Sequence, residues 1–211
     1  MPDFIEWYEK PGKGQDVYVV AGGSSLIDFD FKKLNGKNII GVNYVYRKVF
    51  CKYSVICDLT TPCSQAAEFR QTLTPELERY TAQGGRVLSF PFSRGERCPS
   101  WLYITPPETT RHCKDYSGSG SCAIYVALLL GYKRIILLGF DGKVSRGIND
   151  WYHGSDGMSE QEMNKDLQGR NKFIETVLYN DWREKWSEVE IINCNQDSAL
   201  VKFPKCAFED I

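Results

Sequence analysis

Two short loops rich in glycine and serine contain the residue types that bind phosphate. The first follows the apolar run VYVVA and consists of Gly22, Gly23, Ser24 and Ser25. The second precedes the apolar run CAIYVALLL and consists of Ser117, Gly118, Ser119 and Gly120. Glycine tolerates positive φ and close approach of another group, while free N–H groups at a helix start and serine hydroxyls favour anions. The recurrence of the pattern favours a phosphate-containing ligand over two ordinary tight turns.

Polar residues follow three other apolar runs, where the carboxyl ends of strands are expected. Asn43 follows IIGV and can both donate and accept hydrogen bonds, as a base or ribose requires. Asp58 follows SVIC and suits a ligand hydroxyl or a cation. Asp141 follows the run IILLGF and places a carboxylate at the ligand edge of the sheet, which makes it a candidate catalytic residue. Asn and Asp are also common in turns and helix caps, so a purely structural role is the alternative for each.

Histidine is scarce, with two residues in the chain. His153 lies in the segment DWYHGSD and is a candidate base for deprotonating a hydroxyl, because its pKa is ordinarily near neutrality. The alternative is an exposed loop histidine. His112, beside Arg111 and Lys114, fits a phosphate contact better than a base. The sequence Asp28-Phe29-Asp30 has the form of a DxD metal motif, but a short polar turn explains it better.

Composition narrows the function classes. The chain has 211 residues and a formal net charge of −1, which argues against a general polyanion-binding surface. Neither loop matches the P-loop pattern GxxxxGK[ST] or the dinucleotide pattern GxGxxG, so kinase and NAD-binding functions are disfavoured. The eight cysteines form no CxxC pair and indicate buried reduced thiols rather than a metal site. No apolar run is long enough to span a bilayer and no signal peptide is apparent, so a cytoplasmic location is expected.

Six short apolar runs alternate with stretches long enough for crossover helices. They lie at residues 17–21, 38–42, 53–57, 86–90, 134–138 and 189–193. Such runs are typical of strands covered on both faces, which predicts a doubly wound, mostly parallel, Rossmann-like α/β fold with helices on both faces. We expect one nucleotide-binding domain over residues 1–211, with a lid or acceptor loop at 142–157. Residues 91–116 form a second long loop without an assigned structure.

Three helices are predicted, at residues 64–82, 119–130 and 159–186. Pro75 is expected to divide the first helix into two pieces, with Thr74 capping the second. The second helix is apolar nearly all round, and Gly131 is expected to end it. The third is charged and amphipathic, with Gly169 as the expected interruption.

These blocks together resemble the bacterial lipooligosaccharide sialyltransferases and related glycosyltransferases. The resemblance lies in VVAGGSSLIDFDFKKLNGKNIIGVN, in SGSGSCAIYVALLLGYKRIILLGFD and in the closing stretch INCNQDSALVKFPKCAFED. It implies a metal-independent, inverting transfer of a sugar from a nucleotide donor to a hydroxyl of a glycan or another acceptor. No cofactor is then needed beyond the nucleotide sugar as co-substrate.

The resemblance also implies roles for individual residues. The donor would contact Gly22 to Ser25, Asn43, Ser119 and Gly120, and His153 would be the base. Where the family has a tyrosine near the Gly-x-Asp unit this chain has Gly142, and Tyr152 would take that part. One alternative is a hydroxymethylpterin diphosphokinase-like enzyme, with Mg²⁺ bound by Asp58 and Asp141. Another is a non-catalytic nucleotide-binding module. The sequence leaves open the acceptor and whether the chain forms a homo-oligomer.

Overall fold

The computed structural model describes residues 9–60, 64–89, 102–104, 118–145 and 159–211. The strands are β1 (Asp16–Val20), β2 (Ile39–Val42), β3 (Tyr53–Val55), β4 (Arg86–Ser89), β5 (Leu102–Ile104), β6 (Arg134–Leu138) and β7 (Glu190–Asn193). The helices are α1 (Ser64–Ala82), α2 (Gly118–Leu129), α3 (Glu160–Phe173) and α4 (Tyr179–Lys185), and a π-helical turn, Ile174–Leu178, joins the last two.

The seven strands form one sheet in the order β5-β4-β3-β2-β1-β6-β7, and every pairing is parallel. The central strands are buried on both faces, as their continuous apolar runs predict. Six strands match the predicted runs within two residues. The seventh, β5, lies in the stretch 91–116 that was expected to be loop, because a three-residue edge strand leaves almost no periodic signal.

Helices cover both faces of the sheet, which confirms the predicted fold class. Val17 and Val19 of β1 pack in one cluster with α2 and with Ile174, Leu178 and Trp182. The intervening Tyr18 and Val20 point to the opposite face, which short 3₁₀ turns and the C-terminal segment cover. Helix α1 lies on that second face, where its buried Leu73, Leu77 and Tyr80 pack against Val87.

Helix α1 runs through Pro75 without a break, so the predicted division of this helix is wrong. Proline in a helix interior costs about 3 kcal/mol because it lacks the N–H and its ring clashes with the preceding turn. Leu73 and Leu77, on either side of Pro75, are both buried in the same cluster. Burial of two leucine side chains is worth about 1.5–3 kcal/mol each, which offsets that cost.

The other helix predictions have mixed outcomes. Gly131 follows α2 with φ of +80°, as expected of a glycine that ends a helix. Gly169 is wrongly predicted as an interruption, since α3 continues through it. The irregularity lies instead at the π-helical turn Ile174–Leu178. No helix in the described ranges is both long enough and apolar enough to cross a membrane.

Candidate functional site

A cleft opens at the carboxyl ends of the central strands. The chain order of the sheet reverses beside β1, which pairs with β2 on one side and β6 on the other. Ligands of open α/β sheets bind at such a reversal point. The cleft is lined by the ends of β1, β2 and β6, by the start of α2 and by one face of α3, through residues that include Gly22, Gly23, Asn43, Ser119, Gly120, Asp141, Lys143, Arg170, Asn171 and Ile174.

The Asp141 carboxylate holds the loop after β1 in place through hydrogen bonds. The carboxylate accepts hydrogen bonds from the Ser25 N–H at 2.8 Å, the Ser25 hydroxyl at 2.6 Å, the Ser24 hydroxyl at 3.3 Å and the Asn195 side-chain amide at 2.7 Å. Asp141 is 4% exposed. With both oxygens engaged by protein donors, Asp141 is placed to position the loop, and the catalytic role that the sequence predicted for it stays a prediction.

Glycine is required at position 23 by this packing rather than by a strained backbone. The φ of Gly23 is −54°, so the expected positive φ is absent here. A Cβ at this residue would lie 2.5 Å from the carboxyl carbon of Asp141 and would also meet the carbonyl oxygen of Gly139. The glycine therefore admits a protein carboxylate on one side, while Gly22 and Gly23 face the cleft on the other.

The serines of this loop are placed differently from the glycines. Among the described residues that line the cleft are Gly22 and Gly23, but not Ser24 or Ser25. Ser25 instead lines a second depression on the other side of the loop. The predicted contact of these two hydroxyls with a donor phosphate stays a prediction, and their hydrogen bonds to Asp141 supply a structural reason for both serines.

The second predicted loop forms the start of α2 and lines the cleft. Gly118 has φ of +55°, a conformation that favours glycine. The Ser119 hydroxyl accepts a hydrogen bond from the Cys57 N–H at 3.0 Å, which ties the helix start to the end of β3. A Cβ at Gly120 would lie 3.3 Å from the ring of Phe140. The first N–H groups of the helix are thus held at the cleft, where they favour an anion.

Asn43 is at the end of β2, beside the loop after β1, as predicted. Its φ is +53°, a left-handed conformation that is uncommon outside glycine but that asparagine tolerates best. The residue lines the cleft. Backbone strain of this kind clusters at binding sites, which agrees with the proposed nucleoside contact.

Helix α3 supplies cleft residues that the sequence did not single out. The Asn171 side-chain amide donates to the Gly142 carbonyl at 2.5 Å, where Gly142 has φ of +63°. A guanidinium nitrogen of Arg170 lies 3.8 Å from the Cβ position of Gly118, so its positive charge stands opposite the start of α2. Lys143 adds a second cation to the lining. Sequence periodicity marked this helix as amphipathic but could not show which side covers the cleft.

Several predicted residues lie outside the described part of the chain. They are Ser117, Tyr152 and His153, together with His112 and most of the expected lid at 142–157. Asp58 belongs to the 3₁₀ turn Cys57–Thr60, directly after β3, and only its backbone is described. The predicted roles of these residues stay predictions.

The described residues contain no group of three or more His, Cys, Asp or Glu side chains that could hold a metal ion. Asp30 caps a 3₁₀ turn by accepting from the Lys32 N–H at 3.0 Å, in agreement with a turn rather than a DxD motif. Cys51, Cys57 and Cys122 are buried thiols outside any disulfide, as predicted, whereas Cys194 and Cys206 are partly exposed. Because both oxygens of Asp141 accept from protein donors, the Mg²⁺ pair of Asp58 and Asp141 is disfavoured.

Comparison with solved structures places this fold among those of bacterial sialyltransferases. The sialyltransferase CstII from Campylobacter jejuni, solved with the substrate analogue CMP-3FNeuAc, is 16% identical with a TM-score of 0.53, over 91% of this chain and 86% of that one. CstII solved with CMP and a trisaccharide acceptor is 16% identical with a TM-score of 0.51, over 92% of this chain and 86% of that one. The α-2,3-sialyltransferase Cst-I from the same organism is 15% identical with a TM-score of 0.53, over 90% of this chain and 80% of that one.

No protein-family model matches the chain, and no curated protein matches it either. The structural similarity confirms the resemblance inferred from the sequence at the level of the fold.

Proposed function

We propose that this protein is a glycosyltransferase that moves a sugar from a nucleotide-activated donor to a hydroxyl of an acceptor, without a metal ion and with inversion. The observation that carries the proposal is the cleft, in which Gly22, Gly23, Asn43 and the start of α2 meet at the reversal point of the sheet. Its support is the fold, which resembles enzymes solved with CMP and with a sugar acceptor.

The charges in the cleft suit the departure of a phosphate. As the bond between sugar and nucleotide breaks, negative charge grows on the leaving phosphate oxygens. In our proposal the N–H groups at the start of α2 and the guanidinium of Arg170 stabilise that charge, because preorganised donors need no rearrangement during the reaction. Asn43 contacts the nucleoside. The proposal also keeps two roles predicted from the sequence, in which His153 takes the acceptor proton and Tyr152 assists the leaving group.

The first experiment is a thermal-shift screen with CMP, UMP, GMP, UDP and GDP, and with the corresponding nucleotide sugars. A ligand that binds the native state raises the melting temperature by mass action, by about 2.7 kcal/mol in stability at one hundred times its Kd. We expect one nucleoside to be preferred. If no nucleotide shifts the melting temperature, the donor site is absent and the proposal is wrong.

The second experiment measures turnover of the preferred donor with and without EDTA, in wild type and in His153→Ala. We expect activity to persist in EDTA and to fall in the variant by about a hundredfold or more at unchanged donor affinity. Lys172→Ala, at an exposed position outside the cleft lining, is the control. Tight nucleotide binding without release from any sugar donor would instead identify a non-catalytic binding module. Equal loss of donor binding and turnover in His153→Ala would refute the role of His153 as the general base.

A further inference from the structure

Two cysteines meet behind the loop that follows β1. Cys194 comes directly after β7, and Cys206 belongs to the C-terminal segment that runs beside it. The two segments are joined by a parallel bridge between Asn193 and Lys205, with the Cys206 N–H donating to the Asn193 carbonyl at 3.3 Å. The two Sγ atoms are 3.4 Å apart.

This pair is accessible in a way that the other described cysteines are not. Cys194 and Cys206 are partly exposed, and both line the second depression, together with Ser25 and Phe208. Cys51, Cys57 and Cys122 are at most 4% exposed. A small thiol reagent can therefore reach this pair from solvent, whereas the other three are shielded by the core.

We propose that Cys194 and Cys206 are a reversible disulfide site that reacts by exchange with a low-molecular-weight disulfide such as oxidised glutathione. The Cys206 thiolate attacks one sulfur of the reagent, forming a mixed disulfide and releasing one reagent thiol. Cys194 then loses its proton to solvent and attacks Sγ of Cys206, forming the protein disulfide and expelling the second reagent thiol. Two protein thiols are oxidised while one reagent disulfide is reduced to two thiols.

The backbone geometry allows the bond to close with little movement. The two cysteines each follow one member of the bridged pair, so they face each other on neighbouring segments. Neighbouring strands lie about 4.8 Å apart, within the Cα separation of about 4.4–6.8 Å that disulfides span. The sulfur atoms need to approach from 3.4 Å to about 2.05 Å.

The site is next to the hydrogen bonds that hold the candidate cleft. Cys194 precedes Asn195, whose side-chain amide donates to Asp141, the residue that fastens Ser25. Burial and the contact with Cys206 raise the pKa of Cys194 to about 12, partly opposed by Arg134. Cys194 thus stays protonated at neutral pH, which leaves the first attack to Cys206 and makes deprotonation of Cys194 part of the second step. The proposal stands whether or not the protein is a glycosyltransferase.

The test exposes the folded full-length protein to oxidised glutathione and counts thiols after denaturation. We expect the count to fall from eight to six, because two of the eight thiols pair. Trypsin should then release peptide 186–202 joined to peptide 206–211, at a mass lower by two hydrogen atoms than the sum of the two. Dithiothreitol should separate them.

Cys194→Ser and Cys206→Ser should each abolish the cross-linked peptide, whereas Cys98→Ser, the matched control, should retain it. Oxidation of the urea-unfolded chain should scatter the pairing over other cysteines, because the selectivity comes from the fold. Glutathione adducts on both peptides without a cross-link between them would overturn the proposal. So would retention of all eight thiols in the folded protein.

Discussion

Substitution of Asp141 by asparagine should destabilise the protein before any ligand is present. Each carboxylate oxygen accepts from one fixed N–H, that of Ser25 or Asn195, and from one rotatable serine hydroxyl. An asparagine keeps one acceptor, so in either orientation its NH₂ group faces a fixed donor. A buried donor left without a partner costs about 1–3 kcal/mol. The remaining hydrogen bonds each weaken by about 0.5–1 kcal/mol, because their acceptor no longer carries a negative charge. We expect a loss of about 3 kcal/mol.

Urea denaturation is the assay, with the free energy of unfolding taken by linear extrapolation. A loss of about 3 kcal/mol is a large share of the roughly 5–15 kcal/mol that stabilises most domains, and it should lower the midpoint by about 1 M or more. Asp197→Asn is the control, because this exposed residue lies two positions from Asn195 and undergoes the same change of charge. It should stay within about 0.5 kcal/mol of wild type. An Asp141→Asn variant as stable as the control would refute the positioning role.

Two further substitutions test the packing and the charge of the cleft. Gly23→Ala should lower the free energy of unfolding in urea by about 1–3 kcal/mol, because its Cβ would collide with the Gly139 carbonyl. Gly169→Ala, in an open helix position, should instead raise it by up to about 1 kcal/mol, and equal effects of the two variants would contradict the packing argument. Arg170→Ala should weaken nucleotide binding about tenfold or more in calorimetric titration. Lys172→Ala, at an exposed position on the same helix, should leave the affinity unchanged, and equal affinities of the two variants would show that Arg170 does not contact the phosphate.

The sheet could be predicted because each central strand is buried on both faces and therefore reads as an unbroken apolar run. Local rules also predicted the end of α2 at Gly131 and the polar turn at Asp30. They failed at Pro75, where burial of the residues on either side outweighs helix propensity. They also failed for β5, which is too short to show a period.

The candidate site was predictable in its position but not in its internal hydrogen bonds. Glycine loops and polar residues after strands identify the edge of the sheet at which the cleft opens, because parallel strands bring their carboxyl ends together. The partners of Asp141 are 116 and 54 residues away along the chain, at Ser25 and Asn195. No local pattern reports contacts at such separations. The same holds for Arg170, whose place beside α2 depends on how α3 crosses the sheet.

These contacts divide the loop after β1 into a structural side and a ligand side. Ser24 and Ser25 donate to Asp141, while Gly22 and Gly23 line the cleft. A loop fixed in this way loses little conformational entropy when a ligand binds, which is the general benefit of preorganisation. The side chains that line the cleft also determine the sign of the charge that a ligand meets there. Among the described residues that line the cleft, the only carboxylate is occupied by protein donors, whereas Lys143 and Arg170 bring positive charge. These charges support our proposal that the cleft binds the phosphate of a nucleotide donor.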